Sequence, residues 1–173
     1  VATILSAMAW MAATFPDEVQ DEVLGDGDPR VGGARAPTGT LTATKGGYLL
    51  NGRWGYNTGG HGTRWTIVSA IRDGVPASVI AKASDFTRLD DWFASGMTGT
   101  GSSTIVADDV FVPEQQTQSL PSMINGEYSE ARHNATDPYF NLPLASVLAI
   151  NAGGTPLPIP RDALASLCAR LPA

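Results

Sequence analysis

Apolar positions change their period twice along the chain. From 2 to 24, Ile4, Leu5, Met8, Met11, Ala12, Phe15, Val19, Val23 and Leu24 recur at helical spacing and predict one amphipathic helix. Pro16 breaks or kinks it, because proline lacks the N–H and its ring crowds the preceding turn. Gly25 then supplies a C-terminal stop. Between about 31 and 113 the texture turns to Gly, Thr, Val and aromatics, punctuated by turn signals. It predicts strands over 38–44, 47–54, 64–71, 77–82 and 103–112, with tight turns at Lys45-Gly46-Gly47 and Arg72-Asp73-Gly74. Such spacing, with no helix between strands, predicts an antiparallel sandwich or barrel. A polar linker over 114–136 follows. The helical period returns from about 137 with Tyr139, Phe140, Leu144, Val147 and Leu148. After Pro156-Leu157-Pro158-Ile159-Pro160, a second short helix is predicted over 160–171.

Composition narrows the classes. With 173 residues, 43% hydrophobic and 16% charged, the chain is a globular protein of about one domain. A net charge of −6 argues against a nucleic-acid partner, which needs clustered Lys and Arg. One cysteine, Cys168, and two histidines, His61 and His133, exclude a disulfide scaffold and argue against a Cys- or His-built metal site. The apolar run Val1 to Phe15 has no basic flank and is too short for a membrane span, so a cytoplasmic protein away from the membrane is expected. Asp17, Glu18, Asp21, Glu22, Asp26 and Asp28 read as a solvated face, since a calcium loop's ligand spacing is missing. There is no phosphate loop, no Gly-x-Ser-x-Gly elbow and no His-Glu-x-x-His. Gly25-Asp26-Gly27 opens like a dinucleotide fingerprint but lacks the third glycine and a preceding strand.

Two segments carry specific information. The first runs Gly46-Gly47-Tyr48-Leu49-Leu50-Asn51-Gly52-Arg53-Trp54, then Gly55-Tyr56-Asn57-Thr58-Gly59-Gly60-His61, with Trp65 beyond. The second runs Gly96-Met97-Thr98-Gly99-Thr100-Gly101-Ser102, then Asp108-Asp109-Val110-Phe111-Val112-Pro113. Together they resemble the middle β-domain of the acyl-CoA dehydrogenase fold. More narrowly they resemble its flavin-dependent monooxygenases, the oxygenase components of two-component systems. The resemblance covers about 31–117 best, extends over the leading helix, and is fainter at 141–154 and 163–172.

The resemblance implies an α+β fold in three parts. These are a leading helix over 1–30, the β-domain over 31–117, and a linker with the start of a C-terminal helical domain over 118–173. It implies reduced FMN or FAD as cofactor, a separate flavin reductase, an aromatic or polycyclic substrate to be hydroxylated, and a homo-tetramer when complete. It also implies that Trp54, Asn57, Thr58 and Gly59 bind the cofactor. An isoalloxazine needs a flat apolar wall and backbone groups at its polar edge. Trp54 on a strand suits the wall, and the glycine-rich turn after it lets backbone come close. Thr58 falls within one residue of the family's serine, whose hydroxyl lies near the reactive centre of the reduced flavin.

Plainer readings stand beside these. Trp54 and Trp65 also suit the barrel core, Thr58 a turn, and Gly99 to Ser102 strand geometry. His61 and His133 read as ordinary surface histidines, Arg53 as cover for the sheet, and Cys168 as a small buried side chain. The family's Ser-Gly-Cys turn is here Thr58-Gly59-Gly60, and its flanking helical domains are only partly matched. The chain thus reads as part of a larger enzyme, with the catalytic acid or base unassigned. An acyl-CoA dehydrogenase is the second reading, although its Thr-Glu-x-x-x-Gly-Ser flavin loop is not found around 30–40. A non-catalytic remnant or interaction module is the third.

Overall fold

A computed structural model describes residues 2–25, 27, 28 and 30–154. Pro16 divides the predicted leading helix into α1 (Ala2–Ala12) and α2 (Asp17–Leu24). Asp17 and Glu18 lie in the first turn of α2, where negative charge complements the helix dipole. The buried Gln20 side chain donates to the Phe15 carbonyl at 2.7 Å and ties α2 to the corner before it.

Seven strands follow: β1 (Val31–Thr44), β2 (Gly47–Trp54), β3 (Trp65–Arg72), β4 (Val75–Lys82), β5 (Thr87–Arg88), β6 (Ile105–Pro113) and β7 (Thr117–Ser119). They form one sheet in the order β5-β6-β2-β1-β3-β4-β7. The expected strands are present, but the sheet is not closed into a barrel and not wholly antiparallel: β1 and β3 pair in parallel. The cause is a single crossing. After β2, which lies on one side of β1, the chain passes over β1 and returns on its other side as β3. The Asp73-Gly74 turn between β3 and β4 has both residues at positive φ (50° and 80°), as a tight type I′ hairpin requires.

Both faces of β3 and β4 are covered, which explains their nearly unbroken apolar runs. On one face Trp65, Ile67 and Ile80 pack with Met8, Met11, Phe15 and Val23 of the leading helices and with Met123, Leu144 and Val147. On the other, Val68, Ala70, Ala77 and Val79 pack with Leu50, Trp54, Phe86, Ile105 and Val112, so the sheet curls around a second core.

The expected linker is partly ordered structure: β7, then α3 (Leu120–Asn125), capped by the Ser119 hydroxyl. The buried Arg132 organises the next turns. It donates to the carbonyls of Ser129 (2.6 Å) and Phe140 (3.3 Å) and to the Asn141 side chain (2.6 Å). α4 (Leu144–Gly154) closes on α1, with Ser6 donating to Asn151 at 3.2 Å. The helix expected over 160–171, and Cys168 with it, lie outside the described residues.

Candidate functional site

The crossing between β2 and β3 is the turn Gly55 to Arg64, which carries most of the residues singled out from sequence. Its conformation is unusual at the start. Tyr56 sits at φ 59°, in the left-handed region that bulky residues avoid, and the Thr58 N–H then closes a three-residue turn on the Tyr56 carbonyl at 2.8 Å. Such a backbone costs on the order of 1–3 kcal/mol and persists only where its surroundings enforce it.

Those surroundings are the segment before β6. The Gly59 N–H donates to the Thr100 carbonyl at 2.9 Å, and the Asn57 N–H to the Ser103 carbonyl at 3.3 Å. Thr58 also bridges to Gly33 of β1. Arg88 secures the far end of the turn, donating to the Gly60 carbonyl and lying 3.2 Å from His61 Nδ1. Gly101, at φ 53°, has the His61 ring against it, and a Cβ there would collide with that ring. The two sequence motifs thus form one clamped unit, and its glycines serve close approach.

The expected cofactor residues separate into two groups. Trp54 is not an exposed wall. It is 1% exposed, edge-on to Phe86 at 6.0 Å, and its indole N–H donates to the Ser69 carbonyl at 2.8 Å. Gly39 and Gly52 make this possible, because a Cβ at either would strike the indole ring. Asn57 is also buried. Its Oδ1 accepts from the Thr66 hydroxyl at 3.1 Å and its carbonyl accepts from the Gly60 N–H at 3.2 Å, so it holds the turn from inside. The Gly59 N–H is already spent on Thr100. Thr58 alone of the four is half-buried with its hydroxyl in a side-chain network: 3.0 Å from Ser102 Oγ, which lies 2.7 Å from Thr100 Oγ1.

Sequence reasoning missed two aromatics. Tyr56 is 75% exposed and meets Trp92 edge-on at 5.8 Å. Trp92 Nε1 is shielded from water and has no acceptor. A buried N–H left unpaired costs about 1–3 kcal/mol, so the group suits an acceptor brought by a ligand. Gly55, Tyr56, Asp91, Trp92, Ser102 and Thr104 line a cavity of about 200 Å³. That is below the roughly 300–1,000 Å³ of enclosed ligand sites. Asp91 is held below the usual carboxylate range by hydrogen bonds from the Thr104 hydroxyl and N–H, so its charge persists at neutral pH. The signal for Tyr56 was its place inside the glycine-rich turn, between Gly55 and Asn57. For Trp92, which sits outside the motifs, no sequence signal existed.

Other sequence candidates play supporting parts. Trp65 is core, as one reading had it. Arg53 stays on the exposed surface of β2, 3.8 Å from Asp91. His133 is not an ordinary surface histidine: Nε2 lies 2.9 Å from an Asp21 carboxylate oxygen and Nδ1 3.6 Å from one of Asp17, across to α2. Among the described residues no cluster of metal-ligating side chains occurs, and no helix is long and apolar enough to cross a membrane. A cavity of about 550 Å³ lined by Glu22, Thr63, Arg64, Trp65, Lys82 and Ser84 lies apart from the turn's chain of bonded hydroxyls, and its one aromatic, Trp65, is itself buried in the core under Lys82.

No protein-family model matches the chain. It is 34% identical over 173 residues to the oxygenase component of an FADH2-dependent resorcinol hydroxylase of Rhizobium sp., covering 96% of this chain and 42% of that protein. It is 37% identical over 130 residues to the oxygenase subunit HsaA of a flavin-dependent monooxygenase of Mycobacterium tuberculosis, covering 71% of this chain and 33% of that one. Among solved structures, 3-HSA hydroxylase from Rhodococcus sp. RHA1 aligns with a TM-score of 0.77 at 29% identity, over 87% of this chain and 40% of its own. XiaF from Streptomyces sp., determined in complex with FADH2 and glycerol, aligns with a TM-score of 0.70 at 34% identity, over 86% and 39%. Fold and turn together define the class, a β-domain with flanking helices of the acyl-CoA dehydrogenase fold. Within that class the chain is homologous to a part of the oxygenase components of flavin-dependent monooxygenases, and spans about two-fifths of their length.

Proposed function

We propose that this chain is the cofactor-facing part of a reduced-flavin-dependent monooxygenase, the oxygenase component of a two-component system. The observation that carries the reading is the clamped turn. An exposed aromatic and an unpaired indole N–H line one cavity with Ser102, the middle of a chain of three hydroxyls, beside a strained backbone, in a chain homologous to oxygenase components. These groups fit an isoalloxazine, which is planar and carries heteroatoms along one edge. Reduced FMN or FAD, when bound, supplies the activation of molecular oxygen.

The chain's own residues prepare the surface. Tyr56 and Trp92 offer the apolar wall, in place of Trp54, which stiffens the strand beneath. Thr58 presents a hydroxyl, and Asn57 and Gly59 hold it in place through the backbone. Such chemistry requires that water be kept out of the site. The substrate class is an aromatic or polycyclic small molecule, the reduced flavin comes from a separate reductase, and the complete enzyme is a tetramer in the cytoplasm, where reduced flavin is available.

Anaerobic titration of the whole chain with FMN and FAD, each oxidised and chemically reduced, tests this through quenching of indole and phenol fluorescence. Saturable binding is expected, weakened about tenfold or more by Tyr56→Ala, since aromatic contacts of this kind carry about 1–3 kcal/mol with their buried area. Absence of binding to all four forms discards the reading.

A further inference from the structure

We infer that Ser102 and Thr100 are positioning residues that let the Thr58 hydroxyl act as hydrogen-bond donor in one redox state of the bound flavin and as acceptor in the other. The inference rests on the flavin reading above. The oxygens form a chain: Thr58 Oγ1 to Ser102 Oγ at 3.0 Å, and Ser102 Oγ to Thr100 Oγ1 at 2.7 Å, with either atom of each pair able to donate. Ser102 is 5% exposed, and these two hydroxyls are its side chain's partners. The Gly59 N–H bond to the Thr100 carbonyl fixes the spacing from the backbone.

A hydroxyl has one proton to donate and lone pairs to accept with. Three hydroxyls linked in a chain therefore hold three protons for two links, and with both links pointing the same way one proton is left at an end. With Thr100 donating to Ser102 and Ser102 to Thr58, the Thr58 proton is free to point outward. With the order reversed, Thr58 donates inward and turns a lone pair outward. The two states differ only by rotation about C–O bonds. The other oxygen near Thr58 Oγ1, the Tyr56 carbonyl at 3.4 Å, is beyond good O–H···O range and can only accept. The reversible element is thus Ser102. An isoalloxazine has the matching property, since its N5 nitrogen accepts when oxidised and carries an N–H when reduced.

The two links are not equivalent. In the inward order, the Ser102 proton needs Thr100 as its acceptor, and removing Thr100's hydroxyl leaves a buried donor unpaired. In the outward order the same change leaves only a spare lone pair on Ser102. An unpaired buried donor is the costlier defect. Thr100→Val should therefore weaken reduced flavin about fivefold while leaving oxidised flavin nearly unchanged, which lowers the preference for the reduced form. For this two-electron couple, a fivefold change in the ratio is about 20 mV in midpoint potential. Ser102→Ala should weaken both forms by about fivefold, Thr58→Val likewise, and the double variant no more than either, because they act as one unit. Ser102→Thr, which keeps the hydroxyl, should restore binding.

The measurement is anaerobic binding of FMN and FAD in both redox states to the whole chain and its five variants, with thermal unfolding in parallel. A redox-selective loss in Thr100→Val, with non-additive losses for Ser102 and Thr58, establishes the relay. Equal losses of both forms in Thr100→Val, additive losses, or wild-type affinity in Ser102→Ala overturn it while leaving flavin binding in place. If the unsubstituted chain binds no flavin, both readings fall together. Should Ser102→Ala not fold, Thr100→Val alone still decides the matter, because its signature is a ratio.

Discussion

Trp54 and Tyr56 lie two residues apart in one segment and have opposite fates. Trp54 is drawn inward because Gly39 and Gly52 leave a slot for its ring and the Ser69 carbonyl takes its N–H. Tyr56 is turned outward by a left-handed backbone. The two residues should therefore separate stability from binding. Trp54→Ala is expected to lower unfolding free energy by about 3–5 kcal/mol, the range for large aromatic truncations in a core. Tyr56→Ala should leave thermal unfolding within a few degrees of the parent while weakening flavin. Thermal melts of both variants, read beside the titration, check this. A Tyr56→Ala protein that melts far below the parent shows that the residue belongs to the core instead.

Among the elements, the segment 126–141 is attached to the leading helices by polar contacts as well as apolar ones. Arg132 gathers carbonyls and amides from both ends of the segment and lies over the Tyr128 ring at 5.0 Å. Burial pushes the Tyr128 hydroxyl up to about 12, so it stays a donor toward the Met123 and Leu142 carbonyls. The Asn134 amide donates to the Ala13 carbonyl at 2.9 Å. His133 adds a pH-dependent tie to α2. Its hydrogen bond to Asp21, with the charge of Asp17, raises its pKa above the ordinary histidine value. A raised folded value means the tie is fully present below the unfolded pKa of about 6.5 and is lost as pH rises through the folded one. His133→Ala should thus lower the melting temperature slightly at pH 5.5 and not at pH 9. The imidazole is exposed, so the effect is small, and an unchanged difference at the two pH values refutes it.

For the whole molecule, the two apolar cores are not independent, because β3 and β4 contribute opposite faces to them. Ile67 and Val68 are neighbours in β3, yet one packs against the helices and the other inside the curled sheet. The described part should unfold as one cooperative unit. Ile67→Ala and Val68→Ala should each shift the midpoint of the same urea transition, by an amount worth about 2–5 kcal/mol for isoleucine and somewhat less for valine. Two transitions, each sensitive to only one variant, show that helices and sheet fold separately.

Much of this was legible in the chain itself. Pro16, Gly25 and the change of apolar period located the helices and strands, since those signals are local backbone chemistry. The two glycine-rich motifs marked the segments that clamp together, with the Thr58 hydroxyl between them. Three things were decided only in three dimensions. The parallel pairing of β1 and β3 depends on which side of β1 the returning strand takes, and alternation along a strand carries no such direction. The inward turn of Trp54 depends on a slot that Gly52 of its own strand and Gly39 of the paired strand β1 open together, and only the strand pairing brings those two glycines side by side. The hydroxyl chain and the Tyr56–Trp92 wall join residues more than thirty positions apart. Local periodicity fixes what each segment becomes, whereas side-chain encounters between distant segments follow from packing alone.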